Sequence, residues 1–269
     1  MKKYLIANII IGFSYRFDEY FKDNIETYLY EGDKEADHNI VVTYKKNIKE
    51  PKEGNYRIFS KSLKGIKSLM LYDANYKNIE VIIDEDAFND LATAEYIYTG
   101  MIFLELAQRH KLLPLHGSAI TYNDEVILFS APSGTGKTTH AKMWHRLYPD
   151  EVKWLNDDKP LLTIEDNKVF VYGAPFSGKN KANTNRKMPL KAIVFLRQGV
   201  TDKITKLKKD EALKHLMVNT LRPTEETLWD NTLEQFDFIL NNVPIYHLDA
   251  SVSLDAAKTV KGAIYDEKI

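Results

Sequence analysis

The sequence predicts an α/β fold: a phosphate-loop core of strands and helices over residues 86–269, carrying a β-rich region over residues 1–85. Three observations predict it. Up to about residue 85 the chain is a run of short segments rich in β-branched and aromatic residues, separated by polar turns. From residue 86 the apolar spacing changes to a helical period. Further on, an apolar strand runs straight into "SAPSGTGKTTH", Ser130 to His140, and that loop runs into a helical stretch. Strand, glycine-rich loop and helix in that order are the setting a phosphate-binding loop needs.

Composition narrows the class. A chain of 269 residues has the length of one large domain or a domain with an appendage. Hydrophobic residues make up 44%, enough for a substantial core. With 37 basic and 38 acidic residues the net charge is -1, which gives no electrostatic case for nucleic acid or for an anionic membrane. No cysteine is present, so disulfides, thiolate zinc sites and cysteine nucleophiles are excluded; this composition fits a cytoplasmic protein. The opening "MKKYLIANIIIGF" has the lysines and apolar run of a weak signal peptide. Asn8 interrupts it and no small-x-small site follows, so a buried strand is expected. No segment reaches the ~20 apolar residues of a membrane helix.

The elements follow in order. "YLIANIII", "NIVVTYK", "NYRIFSK", "SLMLYD" and "IEVIID" read as strands, and "KKNIKEPKEGN" as a solvated loop. Phe88, Leu91, Tyr96, Ile97, Ile102, Phe103 and Leu106 then mark a long helix, with Asp86 as its expected N-cap and Pro114 after its end. "LHGSAITY" and "EVILFSA" form a hairpin about Asn123-Asp124. After the loop come a helix at "KTTHAKMWHRLY" and strands at "EVKWLND", "KPLLTI", "KVFVYG" and "KAIVFLRQ". Helices are expected at "DEALKHLMVNTL", "TLWDNTLEQFDFILNN" and "SLDAAKTVKGAIYD", with a strand at "VPIYHLD".

Within the loop each residue has its own part. A phosphate cradle needs converging backbone N–H groups, hence residues that tolerate unusual φ/ψ, and Gly134 and Gly136 supply them. The helix N-terminus adds partial positive charge. Ser133, Thr135 and Thr139 complete the cradle, Lys137 is the cation for the β- and γ-phosphates, and Thr138 offers its hydroxyl to Mg²⁺. The glycine that usually opens the motif is Ala131, at the position that closes the turn. His140 and Trp144 lie four apart on the following helix, where packing or contact with a base is expected rather than catalysis.

Some twenty residues on, "VKWLNDD" puts Asp157 and Asp158 at a strand end. Next to a phosphate loop, such a carboxylate orients Mg²⁺, and a second one can take a proton from an attacking hydroxyl. His116, in "LPLHGSAI", is expected on the strand that pairs with the one entering the loop, which brings it toward the same place. In "PFSGKNKANTNRK", Lys179 and Arg186 are candidate cations for the charge that spreads over a moving phosphoryl group.

"LHGSA", then "SGTGKTT", then "NDD" resembles the kinase domain of HPr kinase/phosphorylase, a family that shares its nucleotide-binding fold with the ATP-dependent phosphoenolpyruvate carboxykinases. "VYGAPFSGK", "NRKMPLKAIVFLRQG" and "NNVPIYHLD" resemble the HPr-kinase-related proteins of peptide-modification clusters, lasso-peptide clusters among them. The likeness covers about residues 86–265. It implies a mixed sheet flanked by helices and a Mg²⁺- and ATP-dependent kinase, with Asp157 and Asp158 as general base and metal-binding partner in an order left open. It implies that His116 is the family histidine beside that pair, and that the acceptor is a serine hydroxyl of a small protein or peptide. It allows a homo-oligomer. Thr139 stands where HPr kinases carry glutamate, as in the carboxykinases. Two other readings stay open: a nucleotide-binding module without turnover, and a small-molecule kinase of the same fold.

Overall fold

The computed structural model describes residues 1–178 and 181–266 and shows a mixed α/β chain with two mixed sheets and six α-helices among the described residues. It divides into two compact units, Met1–Leu106 and Ala107–Ile269. No helix among the described residues is long and apolar enough to cross a membrane.

The first unit holds a six-stranded sheet. Its strands are β1 (Lys2–Ile6), β2 (Ile9–Ser14), β3 (His38–Lys45), β4 (Asn55–Ser62), β5 (Gly65–Tyr72) and β6 (Asn78–Asp84), in the order β1-β2-β3-β6-β5-β4. "YLIANIII", expected as one strand, is two. Ala7 and Asn8 take positive φ and close a two-residue hairpin between Ile6 and Ile9. The all-strand expectation also missed helix α1 (Asp18–Ile25). The chain entering α1 is held by the buried Glu95, whose carboxylate accepts from the backbone N–H of Arg16 and Phe17 at 3.1 and 3.0 Å and from the Tyr44 hydroxyl at 2.5 Å.

Helix α2 (Leu91–Arg109) begins five residues after the expected cap. Asp90 caps it instead. Its carboxylate accepts from the Thr93 N–H at 3.0 Å and the Thr93 hydroxyl at 2.6 Å. Asp86 pairs with Lys46, and Phe88 precedes the helix.

The second unit is built on a nine-stranded sheet with helices on both faces. Its strands are β7 (Leu113–Pro114), β8 (Gly117–Tyr122), β9 (Glu125–Ser130), β10 (Lys153–Asp158), β11 (Leu161–Glu165), β12 (Lys168–Tyr172), β13 (Lys187–Gln198), β14 (Lys203–Lys206) and β15 (Ile245–Ala250). The order is β10-β8-β9-β13-β12-β11-β7, with β15 on β13 and β14 on β15. The hairpin turns Asn123-Asp124 and Asp166-Asn167 each have both residues at positive φ, as two-residue hairpins favour.

Strand β13 is apolar on both sides because both are covered. Ile193 and Phe195 join the core beneath α4 (Lys209–Asn219) and α5 (Thr227–Asn242), with Leu128, Leu216 and Phe236. Val194 and Leu196 join the opposite core beneath α3 (Lys137–Leu147) and α6 (Leu254–Tyr265), with Ile127, Trp144 and Val260. Strands β9, β13 and β15 are mutually parallel, and β10 runs in the same direction, because β8 is antiparallel to both β9 and β10. Their carboxyl ends share one sheet edge, where open α/β sheets bind ligands.

Candidate functional site

Four segments meet on that edge: the loop after β9, the end of β10, the residue before β8, and the connection from β12 to β13. The loop turns on Gly134 and Gly136, at φ 79° and 108°, and Gly136 is the N-cap of α3. A side chain at either position would hold strained left-handed backbone. Thr135 braces the turn, with its N–H and hydroxyl donating to the Pro132 carbonyl at 3.4 and 2.9 Å. Ser133, Gly134 and Thr139 are exposed, so the loop faces solvent. Lys137 does not: it is 7% exposed, and its ammonium donates to the carbonyls of Ala131 and Pro132 at 2.9 and 3.2 Å. Ala131 thus meets Lys137 through its backbone carbonyl. Burial pushes the Lys137 pKa down, partly offset by the charges of Asp158 and Asp157.

Asp157 and Asp158 end β10 but face different partners. Register pairs Asp157 with Ser118 of β8, and the Ser118 hydroxyl donates to its Oδ1. Thr138 Oγ1 donates to Oδ1 and Oδ2 of the same carboxylate, at 3.0 Å each. Asp158 carries φ 126°, a conformation that L-residues rarely adopt. The strain is clamped from both sides. Asn156 donates from Nδ2 to the Ala174 carbonyl at 2.7 Å and accepts from the Lys159 N–H at 2.8 Å. Thus turned, Asp158 Oδ1 meets His116 Nε2 at 3.3 Å and Lys159 Nζ at 2.9 Å. Burial alone would raise the Asp158 pKa. The His116 hydrogen bond and the Lys159 charge outweigh it and hold the carboxyl below its usual range.

His116 sits one residue before β8 rather than on it, with its backbone held by two bonds. Its N–H donates to the Asn219 carbonyl at 2.8 Å, and its carbonyl accepts from the Ser130 hydroxyl at 2.8 Å. The connection between β12 and β13 runs along β10: Asp157 N–H donates to the Ala182 carbonyl and Thr184 N–H to the Leu155 carbonyl, both at 2.9 Å. Gly178, at φ 60°, lies against the carboxylate pair, and a Cβ there would come within 3.2 Å of the Asp158 Cβ. Arg186 is exposed at the foot of β13, its backbone bonded to Gly173 and Thr184. Lys179 lies outside the described residues.

The structure therefore brings together the loop residues Lys137 and Thr138, the pair Asp157 and Asp158, and His116. It adds Ser118, Lys159 and Gly178, which sequence reasoning gave no place at the carboxylates. Ser118 was legible only through strand register. Lys159 follows the acidic pair directly and could have been found. Among the described residues no three His, Asp or Glu side chains converge as a metal cage. Thr138 and Asp157 instead offer a hydroxyl and a carboxylate, an all-oxygen set suited to a hard cation.

The fold and the site define a mixed α/β protein whose glycine loop and carboxylate pair share one sheet edge. The family profile described as "SynChlorMet cassette protein ScmC" matches residues 82–260, well over half of the 269, and the chain belongs to that family. No curated protein matches it. Among solved structures, one match is the Hpr(Ser) kinase/phosphatase from Coxiella burnetii. It has 8% identity and a TM-score of 0.34, and covers 56% of this chain and 95% of that one.

Proposed function

We propose that the chain is a Mg²⁺- and ATP-dependent kinase that transfers the γ-phosphoryl group to a serine hydroxyl of a small protein or peptide. One observation carries the reading: two adjacent carboxylates divide their contacts, Asp157 with the loop's Thr138 and Asp158 with His116. This is the division of labour that phosphoryl transfer needs, one group beside the metal and one beside the nucleophile.

The loop N–H groups and the α3 N-terminus hold the phosphates. Lys137 leaves the Ala131 and Pro132 carbonyls for the β- and γ-phosphates. Thr138 and Asp157 would hold Mg²⁺, as the all-oxygen set and the small number of protein ligands suit. The cation supplies charge neutralisation on the phosphate oxygens. The serine hydroxyl attacks the γ-phosphorus, the bond to the β–γ bridging oxygen breaks, and ADP leaves. The hydroxyl proton passes to the Asp158–His116 pair, and Lys159 keeps Asp158 ionised to receive it. Arg186 and Lys179 are candidates to meet the charge of the transferring group. We place the protein in the cytoplasm, with no nucleic-acid partner, and a homo-oligomer is compatible with this site.

The test is transfer of labelled γ-phosphate to serine-containing peptides and small proteins. Lys137→Ala and the double variant Asp157→Asn/Asp158→Asn are each expected to lose about 10²-fold or more. Full activity in both would overturn the reading.

A further inference from the structure

A second cluster of charge lies apart from the glycine loop, in a concavity of about 520 Å³ between α4 and the strands β14 and β15. Its cations come from three elements: Arg197 from β13, Lys203 and Lys206 from β14, and Lys208 and Lys214 from the N-cap and the middle of α4. Two carboxylates, Glu211 and Asp249, share the lining. Five cations against two carboxylates leave an excess of three positive charges, in a chain whose net charge is -1. The excess is therefore local and not a matter of composition.

Both carboxylates are already engaged. Asp249 accepts from Arg197 Nε at 2.6 Å and lies 3.3 Å from His247 Nε2. Glu211 accepts from the Lys208 N–H at 3.4 Å, in the first turn of α4, where the helix dipole favours negative charge. The ammonium groups of Lys203, Lys206 and Lys214 have no hydrogen bond or ion pair among the described residues, and all three side chains are exposed. Lysines on an edge strand such as β14 ordinarily do no more than discourage strand pairing. That does not account for Lys214 and Arg197, which line the same groove from a helix and from an inner strand.

The groove leads toward the carboxylate pair. Strand β14 runs away from the carboxyl edge of the sheet, from Lys203 opposite Asp249 to Lys206 opposite Tyr246, and α4 returns to it. Helix α4 ends beside Asp158's partner: the Asn219 carbonyl accepts from the His116 N–H at 2.8 Å. At about 1.5 Å of rise per residue, Lys214 lies about 8 Å and Lys208 about 16 Å along the helix from that contact. Met217 and Val218, both exposed, are apolar steps on the way. The cations are strung out along this path rather than gathered about a point. A small anion would meet one or two of them, whereas an extended chain carrying several carboxylates meets them in series.

We propose that this groove holds an acidic segment of the peptide or small protein that presents its serine to Asp158 and His116. At about 3.3 Å per extended residue, the acidic residues lie roughly three to six positions from that serine. The inference rests on the kinase reading above, and the test separates the two. Fluorescein-labelled peptides carry one serine with glutamates at those positions, either before it or after it, and each has a glutamine twin. Binding is measured by fluorescence anisotropy without nucleotide, and transfer is measured with ATP and Mg²⁺. Both are run on the parent chain, on Lys206→Glu/Lys214→Glu, and on Lys258→Glu, a charge reversal on α6 over the opposite sheet face.

One glutamate peptide is expected to bind about tenfold tighter than its twin, and to be phosphorylated with a KM about tenfold lower and a kcat within about twofold. The double reversal should abolish that preference and Lys258→Glu should keep it. Thermal unfolding of the double variant, expected to match the parent's, shows that it is folded. Equal binding of glutamate and glutamine peptides, binding of neither, or a preference that survives the double reversal would overturn the docking groove. Transfer that is still lost in Lys137→Ala would then leave the kinase reading standing. Displacement of the bound peptide by inorganic phosphate at matching concentration would overturn the peptide as the occupant. Charge-dependent binding in the groove with no transfer to any peptide would keep the surface and overturn the kinase reading.

Discussion

Thr138 Oγ1 lies 3.0 Å from both carboxylate oxygens of Asp157, although 19 residues separate them in sequence. A hydroxyl and a carboxylate this close bridge readily through a shared cation. Thr138→Val keeps the shape of the side chain and removes that oxygen. The Mg²⁺ concentration for half-maximal phosphoryl transfer should rise about tenfold, equivalent to about 1.4 kcal/mol, with little change in stability. A Mg²⁺ titration of the initial rate checks it.

Lys159 should set the acid limb of the pH–rate profile. Burial by itself raises the Asp158 pKa, and His116 and Lys159 bring it below the usual value. Lys159→Met removes one of the two opposing influences, so the carboxyl pKa moves up. Turnover should then begin to fall at a higher pH than in the parent chain. The same carboxyl contributes stability that is fully present above the unfolded value of 3.8 and is lost as pH falls through the lower folded one.

His140 works in the same direction on acid stability, over a higher pH range. Burial lowers its pKa to about 4 from 6.5, so the folded chain keeps the ring neutral while the unfolded chain protonates. Its contribution is complete above pH 6.5 and fades as pH falls toward about 4. Between pH 7 and pH 4.5, the parent should lose about 2–3 kcal/mol more than His140→Phe. Urea unfolding at the two pH values measures the difference.

Gly178→Ala should separate binding from chemistry. The new Cβ would meet Asp158 at 3.2 Å, on backbone that disfavours any side chain. Transfer should fall tenfold or more, nucleotide affinity should hold within about twofold, and stability should drop by about 1 kcal/mol.

What could be read from the sequence was whatever is contiguous in it. The glycine loop, the Asp157-Asp158 pair and the hairpin turn at Asn123-Asp124 each carry their signal within a few residues, and each lies where expected. Ser118 could not be read, because its meeting with Asp157 depends on a strand register that joins residues 39 apart. Gly178 reaches the pair only because the β12–β13 connection lies along β10, a pairing that no local signal in the sequence carries. Helix α1 was missed for a similar reason. It is eight residues long, and the chain entering it is held by Glu95, nearly eighty residues on. Asp86 and Asp90 are equally good caps in isolation, and only the start of α2 at Leu91 chooses between them.

Strand β10 is the last in its sheet, and an outermost strand with free N–H and C=O groups invites pairing with another molecule. The bonds from Asp157 to Ala182 and from Thr184 to Leu155 occupy part of that outer row, toward the carboxyl end of β10. The segment beside the two carboxylates therefore also leaves fewer backbone groups of β10 open to another chain. Thr184→Pro, which deletes one of those donors, should first appear in light scattering as concentration-dependent aggregates rather than as a change in the rate of transfer.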